Sequence, residues 1–181
     1  MLTASMPVSI NNLRVDLGCG PNKRSGCFGI DSFGYPNVDL VKNLDATRWD
    51  IPDSCCQEIW GNQVIEHIRD LRAFFNEVYR IAQPGCRIWF CTPHFSSHNS
   101  WADPTHIHHL SVTFAQSFTG GYLTQQLPGF KVTREKITFG SFFWTWPARL
   151  ICALFGNKLY EKRLCWIFPA SSIIVEMEVI K

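Results

Sequence analysis

The fold is indicated first by one stretch of the sequence, Arg14-Val15-Asp16-Leu17-Gly18-Cys19-Gly20-Pro21. A short apolar run ends there in an acidic residue and in a turn with two glycines. Because Gly18 and Gly20 lack side chains, the backbone can adopt unusual angles and a ligand can lie directly against it. Open α/β sheets bind ligands at the carboxyl ends of their strands, where this turn is expected. Since Gly-x-Gly also occurs in ordinary strand-to-loop turns, the motif needs support from other segments.

Three further short strands supply that support, because polar residues follow the apolar run in each. Residues 27–31 form the second predicted strand, and its last residue, Asp31, could accept hydrogen bonds from both ribose hydroxyls of a nucleoside. Residues 38–41 form the third and lead to Asp45. Residues 58–62 form the fourth. The order of strands and acids is typical of a nucleoside-binding α/β sheet.

With these motifs in place, the sequence resembles the class I S-adenosylmethionine-dependent methyltransferases, in particular their small type 11 branch. The resemblance covers about residues 13–130, and the motifs are more specific together than singly. The matching segments are Val15-Asp16-Leu17-Gly18-Cys19-Gly20, Gly29-Ile30-Asp31, Asp45-Ala46, Ile65-Glu66-His67-Ile68 and Arg80-Ile81-Ala82-Gln83-Pro84-Gly85.

The resemblance implies a Rossmann-like α/β sheet of about seven mostly parallel strands in a single domain, residues 1–181. It implies an enzyme that takes a methyl group from S-adenosylmethionine and releases S-adenosylhomocysteine. Gly18, Cys19 and Gly20 would border the methionine half of this cofactor, and Asn62 and Gln63 would lie near the sulfonium. The remaining implied cofactor contacts are Asp31 at the ribose, Asp45 with Ala46 at the adenine, and Asp16 and Ser32 beside them. Loop capping is the alternative role for the acids at 31 and 45.

Two crossover helices of the family are predicted to be loops in this chain. Asp31 follows Gly20 by only 11 positions, whereas a strand-helix-strand unit places its ribose acid ~20 residues on. Residues 21–26 and 32–37 are rich in turn-forming types. One face of the sheet would therefore lack helices, and residues 1–12 leave little room for a covering helix.

The clearest helix is predicted over residues 70–82, with Asp70 as its N-cap and apolar residues at helical spacing. The pair Pro84-Gly85 should stop it before a central fifth strand at 87–92. A further helix is predicted over residues 111–127. The last two strands are predicted at 130–137 and 172–180.

An aromatic-rich insertion at about residues 138–169 separates the last two strands. Pro147 and Arg149 interrupt it, so a membrane-spanning helix is not expected. Three roles remain open for this segment: a cover for the bare sheet face, a homodimer contact or acceptor pocket, and weak contact with a membrane surface.

Five of the six histidines fall within residues 94–109, the loop that leaves the fifth strand beside the expected cofactor. An acceptor that starts protonated needs a base, and histidine is suited to this near neutral pH. We therefore predict His106 and His94 as catalytic or substrate-orienting residues, with a purely structural loop as the alternative. A metal site formed by the loop histidines and Asp103 is less favoured, because their spacing matches no zinc signature and methyl transfer requires no metal. His67 is interpreted as a packed helix residue.

The composition narrows the class of protein further. The net charge of +2 does not indicate nucleic-acid binding. No signal peptide is evident, and eight cysteines without a Cys-x-x-Cys pair suit reduced thiols in a cytoplasmic protein. The sequence predicts a biosynthetic methyltransferase for a small or medium-sized acceptor, including apolar or aromatic ones. The alternatives are a non-methylating enzyme with the same cofactor, such as a cyclase, and an inactive cofactor-binding partner subunit.

Overall fold

A seven-stranded sheet in the order β3-β2-β1-β4-β5-β7-β6 forms the centre of the computed structural model. The structure describes residues 11–119, 129–140 and 145–181. Strands β1 to β5 are parallel to one another, and β7 is antiparallel to both β5 and β6. The strands are Leu13–Leu17 (β1), Phe28–Asp31 (β2), Leu40–Val41 (β3), Cys56–Asn62 (β4), Ala82–Pro93 (β5), Phe130–Thr138 (β6) and Ser172–Val179 (β7). The predicted α/β sheet of about seven mostly parallel strands is confirmed.

Four helices and two 3₁₀ turns connect the strands within the described residues. They are Leu71–Ile81 (α1), His98–Ala102 (α2), Trp146–Phe155 (α3) and Asn157–Arg163 (α4), with the 3₁₀ turns Ile65–His67 and Phe114–Phe118. The helix predicted over 111–127 is wrong for residues 111–119, which contain only the second 3₁₀ turn; residues 120–127 lie outside the described part. The β-branched Val112 and Thr113 disfavour a longer helix at its start.

Helix α1 follows directly from its sequence pattern. The Asp70 carboxylate accepts a hydrogen bond from the Ala73 backbone N–H at 2.9 Å, as predicted for an N-cap. Phe74 and Phe75 are buried against Phe90 of β5, with ring centroids 5.9 and 5.6 Å from it. Each buried Phe contributes about 1.5–3 kcal/mol, so this helix fixes the central strands from one face.

The start of β5 differs from the prediction, because Pro84 and Gly85 lie inside the strand rather than in a loop before it. Cys56 pairs with Ala82 and Glu58 pairs with Arg87, so the intervening residues of β5 bulge out of the ladder. Proline lacks an N–H and is tolerated at such a bulge.

The opposite face of the sheet has no helix packed on it among the described residues. The connections from β1 to β2, β2 to β3 and β3 to β4 contain only turns and bends, as predicted. Trp60 and Trp89 lie on this face with ring centroids 5.2 Å apart, and the Arg24 guanidinium lies 3.6 Å from the Trp60 ring centroid. Glu58 accepts from Arg14 at 2.7 Å and also pairs with Arg87. This face of the sheet therefore carries amphipathic and charged side chains, and so it does not need a helix to shield it from water.

The described part of the aromatic-rich insertion, residues 138–140 and 145–169, packs elsewhere. The Tyr160 ring lies 5.1 Å from the Phe139 ring, and Asn157 donates to the Glu135 carbonyl at 3.2 Å. The groove over Trp60 and Trp89 is lined by residues of β4, β5, β6 and β7, and none of residues 145–169 belongs to its lining. Their outer side exposes seven large apolar side chains: Trp146, Leu150, Leu154, Phe155, Leu159, Trp166 and Ile167.

Two further observations bear on the class of protein. Within the described ranges, every helix is too short or too polar to cross a lipid bilayer. All eight cysteines are free thiols, and most are buried. Burial raises the pKa of Cys19 to about 11 and that of Cys86 to about 12, so both thiols stay protonated at neutral pH.

Candidate active site

An open cavity of about 410 Å³ lies at the carboxyl ends of β1, β2 and β4. Small-molecule clefts usually enclose ~300–1,000 Å³ and lie at this edge of an open α/β sheet. Six of the ten residues predicted to contact a cofactor line this cavity: Gly18, Gly20, Asp31, Ser32, Asp45 and Gln63.

The glycine turn after β1 forms one wall of the cavity. Gly18 has a φ of +60°, and a Cβ atom there would lie 2.4 Å from Val64 Cγ2. Gly20 has a φ of +55°, and nothing lies within 4 Å of its notional Cβ. Gly18 therefore permits close packing against the chain after β4, whereas Gly20 leaves room for a ligand beside the backbone.

Asp31 ends β2 and connects two parts of the cavity wall. Its Oδ2 accepts from the Gly20 N–H at 2.8 Å, and its Oδ1 accepts from the Phe33 N–H at 2.9 Å. A carboxylate oxygen can accept more than one hydrogen bond. The loop-capping role and the predicted ribose-binding role of Asp31 are therefore compatible.

Like Asp31, Asp45 both accepts a hydrogen bond from a loop backbone N–H and lines the cavity. Its Oδ1 accepts from the Arg69 N–H at 2.8 Å, which joins the third-strand loop to the chain before α1. Its own N–H donates to Asn43 Oδ1 at 2.9 Å. The remaining lone pairs of this exposed carboxylate are open to a ligand.

The other four predicted cofactor residues, Asp16, Cys19, Ala46 and Asn62, do not belong to the lining. Asp16 accepts from the Arg24 N–H at 2.8 Å and so holds the loop that replaces the first crossover helix. Its burial raises the pKa of the carboxyl, and the Arg24 and Lys23 side chains oppose that rise. Cys19 is buried, Ala46 belongs to a turn, and Asn62 pairs with Cys91 in the sheet.

His94 lies away from the cavity and is completely buried. Its Nδ1 accepts from the Ser96 N–H at 3.1 Å, so the Nε2–H is the group that donates to Glu161 at 3.0 Å. Both ring nitrogens are thus engaged in joining the end of β5 to α4. This placement favours a structural role for His94 over the predicted catalytic one.

His106 is brought next to two residues that follow β4. One ligand-type atom from each of Glu66, His67 and His106 lies within 4.8 Å of the others. The two imidazole rings meet edge to face, with centroids 4.7 Å apart. His67 and Thr105 line the cavity, so the cluster lies at its rim.

Hydrogen bonds fix the tautomers of both histidines in the cluster. Thr105 Oγ1 donates to Asp103 at 2.6 Å and therefore accepts from the His67 Nδ1–H at 2.9 Å. His106 Nδ1 lies 3.2 Å from the Ser100 carbonyl, which can only accept. In both neutral rings Nε2 therefore carries a lone pair that can bind a proton or a cation.

Glu66 is the residue that the sequence interpretation missed. Its carboxylate is buried, and Oε2 accepts from Thr92 Oγ1 at 3.0 Å. Within the part of the chain that the structure describes, Oε1 has no hydrogen-bond partner. Burial raises its pKa, whereas His67 and His106 act in the opposite direction. A carboxylate within the apolar run Val64-Ile65-Glu66-His67-Ile68, directly after a strand, was the available signal.

The remaining loop histidines do not join this cluster. His108 Nε2 donates to the Ile68 carbonyl at 2.7 Å, and His109 bonds to Ser100 Oγ and stacks on Trp101. His98 is exposed. The metal-binding set considered from the sequence is therefore not assembled, apart from His106.

Several solved structures have a fold similar to that of this chain. A Mesorhizobium loti S-adenosylmethionine-dependent methyltransferase has a TM-score of 0.58 at 16% identity, over 96% of this chain and 93% of that one. A geranyl diphosphate methyltransferase, solved with GPP and sinefungin, has 0.61 at 14% identity, over 95% and 72%. The [4+2]-cyclase SpnF has 0.60 at 13% identity, over 94% and 75%. No protein-family model and no curated protein matches the chain.

At these identities the likeness concerns the fold. The chain has the Rossmann-like fold of S-adenosylmethionine-dependent methyltransferases, and its cavity lies at the carboxyl edge of its own sheet.

Proposed function

We propose that this chain transfers a methyl group from S-adenosylmethionine to a small or medium-sized acceptor, as in the type 11 branch of the class I enzymes. One observation carries the proposal: the glycine turn, Asp31 and Asp45 converge on one cavity at the carboxyl edge of a methyltransferase-type sheet. Support also comes from the geranyl diphosphate methyltransferase with this fold, which was solved with the S-adenosylmethionine analogue sinefungin.

The lining residues fit the donor molecule in their chemistry. Gly20 leaves open backbone for the methionine half, Asp31 accepts from the ribose hydroxyls, and Asp45 lies at the adenine end. Gln63 also lines the cavity and is the proposed neighbour of the sulfonium. When bound, S-adenosylmethionine supplies a methyl group that its sulfonium has already made electrophilic. The contribution of the protein is then mainly alignment of donor and acceptor.

His106 is the proposed base or orienting residue for the acceptor. Its Nδ1–H is committed to the Ser100 carbonyl, so its Nε2 is the atom that accepts a proton. Its side chain is only 8% exposed, so the ring has a fixed direction. A base held in one direction can act on an acceptor at the cavity rim.

A non-methylating reaction is the second candidate, because the cyclase SpnF shares the fold. An inactive, cofactor-binding partner subunit is the third. A Haloferax volcanii protein with this fold was solved in complex with the methyltransferase activator Trm112, so a chain of this fold can have a protein partner. The three functions differ in what happens to the methyl group.

The test uses S-adenosylmethionine labelled in its methyl carbon, with a panel of hydroxylated and aminated small molecules. Label in a product together with S-adenosylhomocysteine is expected for methyl transfer. A rearranged, unlabelled product would identify a cyclase-type enzyme, and cofactor binding without any product would identify a partner subunit. Calorimetry that detects no binding of S-adenosylmethionine by the intact chain would contradict the family assignment itself.

We further propose a biosynthetic role in the cytoplasm, without a nucleic-acid partner. The support is the small net charge of +2 and the eight free thiols.

A homodimer through the exposed apolar side of α3 and α4 completes the proposal. We expect the intact protein to have roughly twice its chain mass of 20.8 kDa in light scattering. Leu154→Asp should give the monomer mass, because Leu154 is 65% exposed on this side and a charge there opposes apolar packing. Val41→Asp is the matched control, since Val41 is 57% exposed outside the segment, and it should stay dimeric. A monomeric parent protein would contradict the dimer.

A further inference from the structure

The rim of the cavity contains an unusual combination of groups for a site that needs only a base. One nitrogen from each of two imidazoles and one oxygen of a carboxylate that is 1% exposed lie within 4.8 Å of one another. Glu66 Oε1 is shielded from solvent and has no hydrogen-bond donor among the described residues. Leaving such an oxygen unpaired is unfavourable, and neither neutral histidine can donate to it, because both ring protons are committed elsewhere. A cation would satisfy all three groups at once.

We propose that Glu66, His67 and His106 bind a divalent transition-metal cation of the zinc class. Two imidazole nitrogens and one carboxylate oxygen form a set used by catalytic zinc and by non-haem iron. Ligands ~2.0–2.1 Å from zinc lie ~3.4 Å apart in a tetrahedron. Atoms already within 4.8 Å of one another therefore need to close by at most ~1.5 Å.

The surrounding contacts hold each ligand in the direction that metal binding requires. Metal-binding histidines usually donate their other N–H to a carbonyl, a carboxylate or a similar acceptor. His67 does so through Thr105 to Asp103, and His106 does so to the Ser100 carbonyl. Thr92 fixes the carboxylate of Glu66.

The backbone joins the two halves of the site. The N–H groups of Ile107 and His108 both donate to the Glu66 carbonyl, at 2.9 and 3.2 Å. The histidine loop is thus attached to the end of β4 before any ligand arrives. Such preorganisation reduces the ordering that cation binding would otherwise require.

Three protein ligands leave a coordination position open, and the cluster borders the cavity. The hydroxyl group of an acceptor would occupy this open position, which identifies hydroxyl compounds as the acceptor class. This assignment of the acceptor rests on the proposed methyl transfer. With the cation bound, His106 is a ligand and no longer the base, because its Nε2 lone pair is used in coordination. The cation would then lower the pKa of a bound hydroxyl, and the hydroxyl proton would pass to solvent. The resulting oxygen donates an electron pair to the methyl carbon, the carbon–sulfur bond breaks, and both its electrons stay on sulfur. The products are the methyl ether, S-adenosylhomocysteine and one proton.

The experiment measures binding of the metal alone to the intact chain. Protein treated with a chelator and dialysed is titrated with Zn²⁺ by calorimetry, and Co²⁺ is added in parallel to record its visible spectrum. We expect one Zn²⁺ per chain and a cobalt spectrum without thiolate charge-transfer bands, which separates this site from the eight cysteines. Glu66→Gln and His106→Ala should each weaken Zn²⁺ binding by at least about 100-fold. Thr105→Val should weaken it by about 10–100-fold, as for other residues that orient a ligand.

His98→Ala is the matched control, because this loop histidine is exposed and outside the cluster, and its Zn²⁺ affinity should equal that of the parent chain. Near-ultraviolet circular dichroism reports whether each variant is folded. Absence of Zn²⁺ and Co²⁺ binding by the folded parent chain would overturn the proposal, as would equal binding by the folded Glu66→Gln and His106→Ala variants. Binding of S-adenosylmethionine is measured separately. If the parent chain binds Zn²⁺ but does not bind S-adenosylmethionine, the methyltransferase assignment is contradicted and the metal site is still supported.

Discussion

Replacing His106 with alanine is expected to slow methyl transfer by roughly 10²–10⁴-fold, the usual contribution of a positioned base. The ring is nearly buried, its Nε2 lies 3.9 Å from Asp103 Oδ2, and one of its nitrogens lies within 4.8 Å of Glu66 and His67 at the rim of the cavity. His106 itself is not among the cavity-lining residues, so the affinity for S-adenosylmethionine should be unchanged. Turnover and calorimetric binding, measured on the same preparation, separate the two effects.

The pH dependence and a control variant refine this prediction. For acceptors that ionise on their own, the difference between His106→Ala and the parent enzyme should shrink at high pH, because the base is no longer needed. His109→Ala is the control, since His109 lies in the same loop and stacks on Trp101 outside the cluster. Full activity of His106→Ala would exclude the base role, and with no metal found in the parent chain by elemental analysis it would leave only a structural role.

Replacing Asp31 with alanine is expected to weaken S-adenosylmethionine binding by at least about 100-fold. Hydrogen bonds to a charged group contribute about 1.5–3 kcal/mol each, and the proposed ribose contact has two of them. A loss of about 3 kcal/mol corresponds to slightly more than 100-fold in affinity. The variant also removes the acceptors for the Gly20 and Phe33 N–H groups, which adds to the loss.

Asp50→Ala serves as the control for Asp31→Ala, because Asp50 is an exposed carboxylate paired with Lys42 away from the cavity. Its affinity should match that of the parent chain in calorimetry. Unchanged affinity in Asp31→Ala would contradict the ribose assignment while leaving the methyltransferase fold intact.

Features with local causes could be predicted from the sequence. The glycine turn after β1 and the loops at 21–26 and 32–37 depend on residue types that act within a few positions. Helix α1 could also be predicted from the sequence, because Asp70 caps it and its apolar residues recur at helical spacing. These segments also determine the cavity, so much of the predicted cofactor set lies on its wall.

Contacts between residues that are far apart in the sequence could not be predicted. His67 and His106 are separated by 39 positions, and only the register of β4 and β5 with the loop after β5 brings them together. His94 sits in the same loop but is turned inward to Glu161, 67 positions away. The sequence pattern treats all histidines of that loop alike, whereas the fold distinguishes them by their partners.

The two outer strands of the sheet limit how this protein can self-associate. An unpaired strand edge is a template for another chain, and proteins block it with very short strands or with charges. Here β3 has only two residues, and β6 carries Lys131, Arg134 and Lys136, all exposed. Both features oppose the addition of a further strand to a continuous intermolecular sheet. Aggregation by β-pairing is thereby disfavoured, and any assembly of copies depends on side-chain packing.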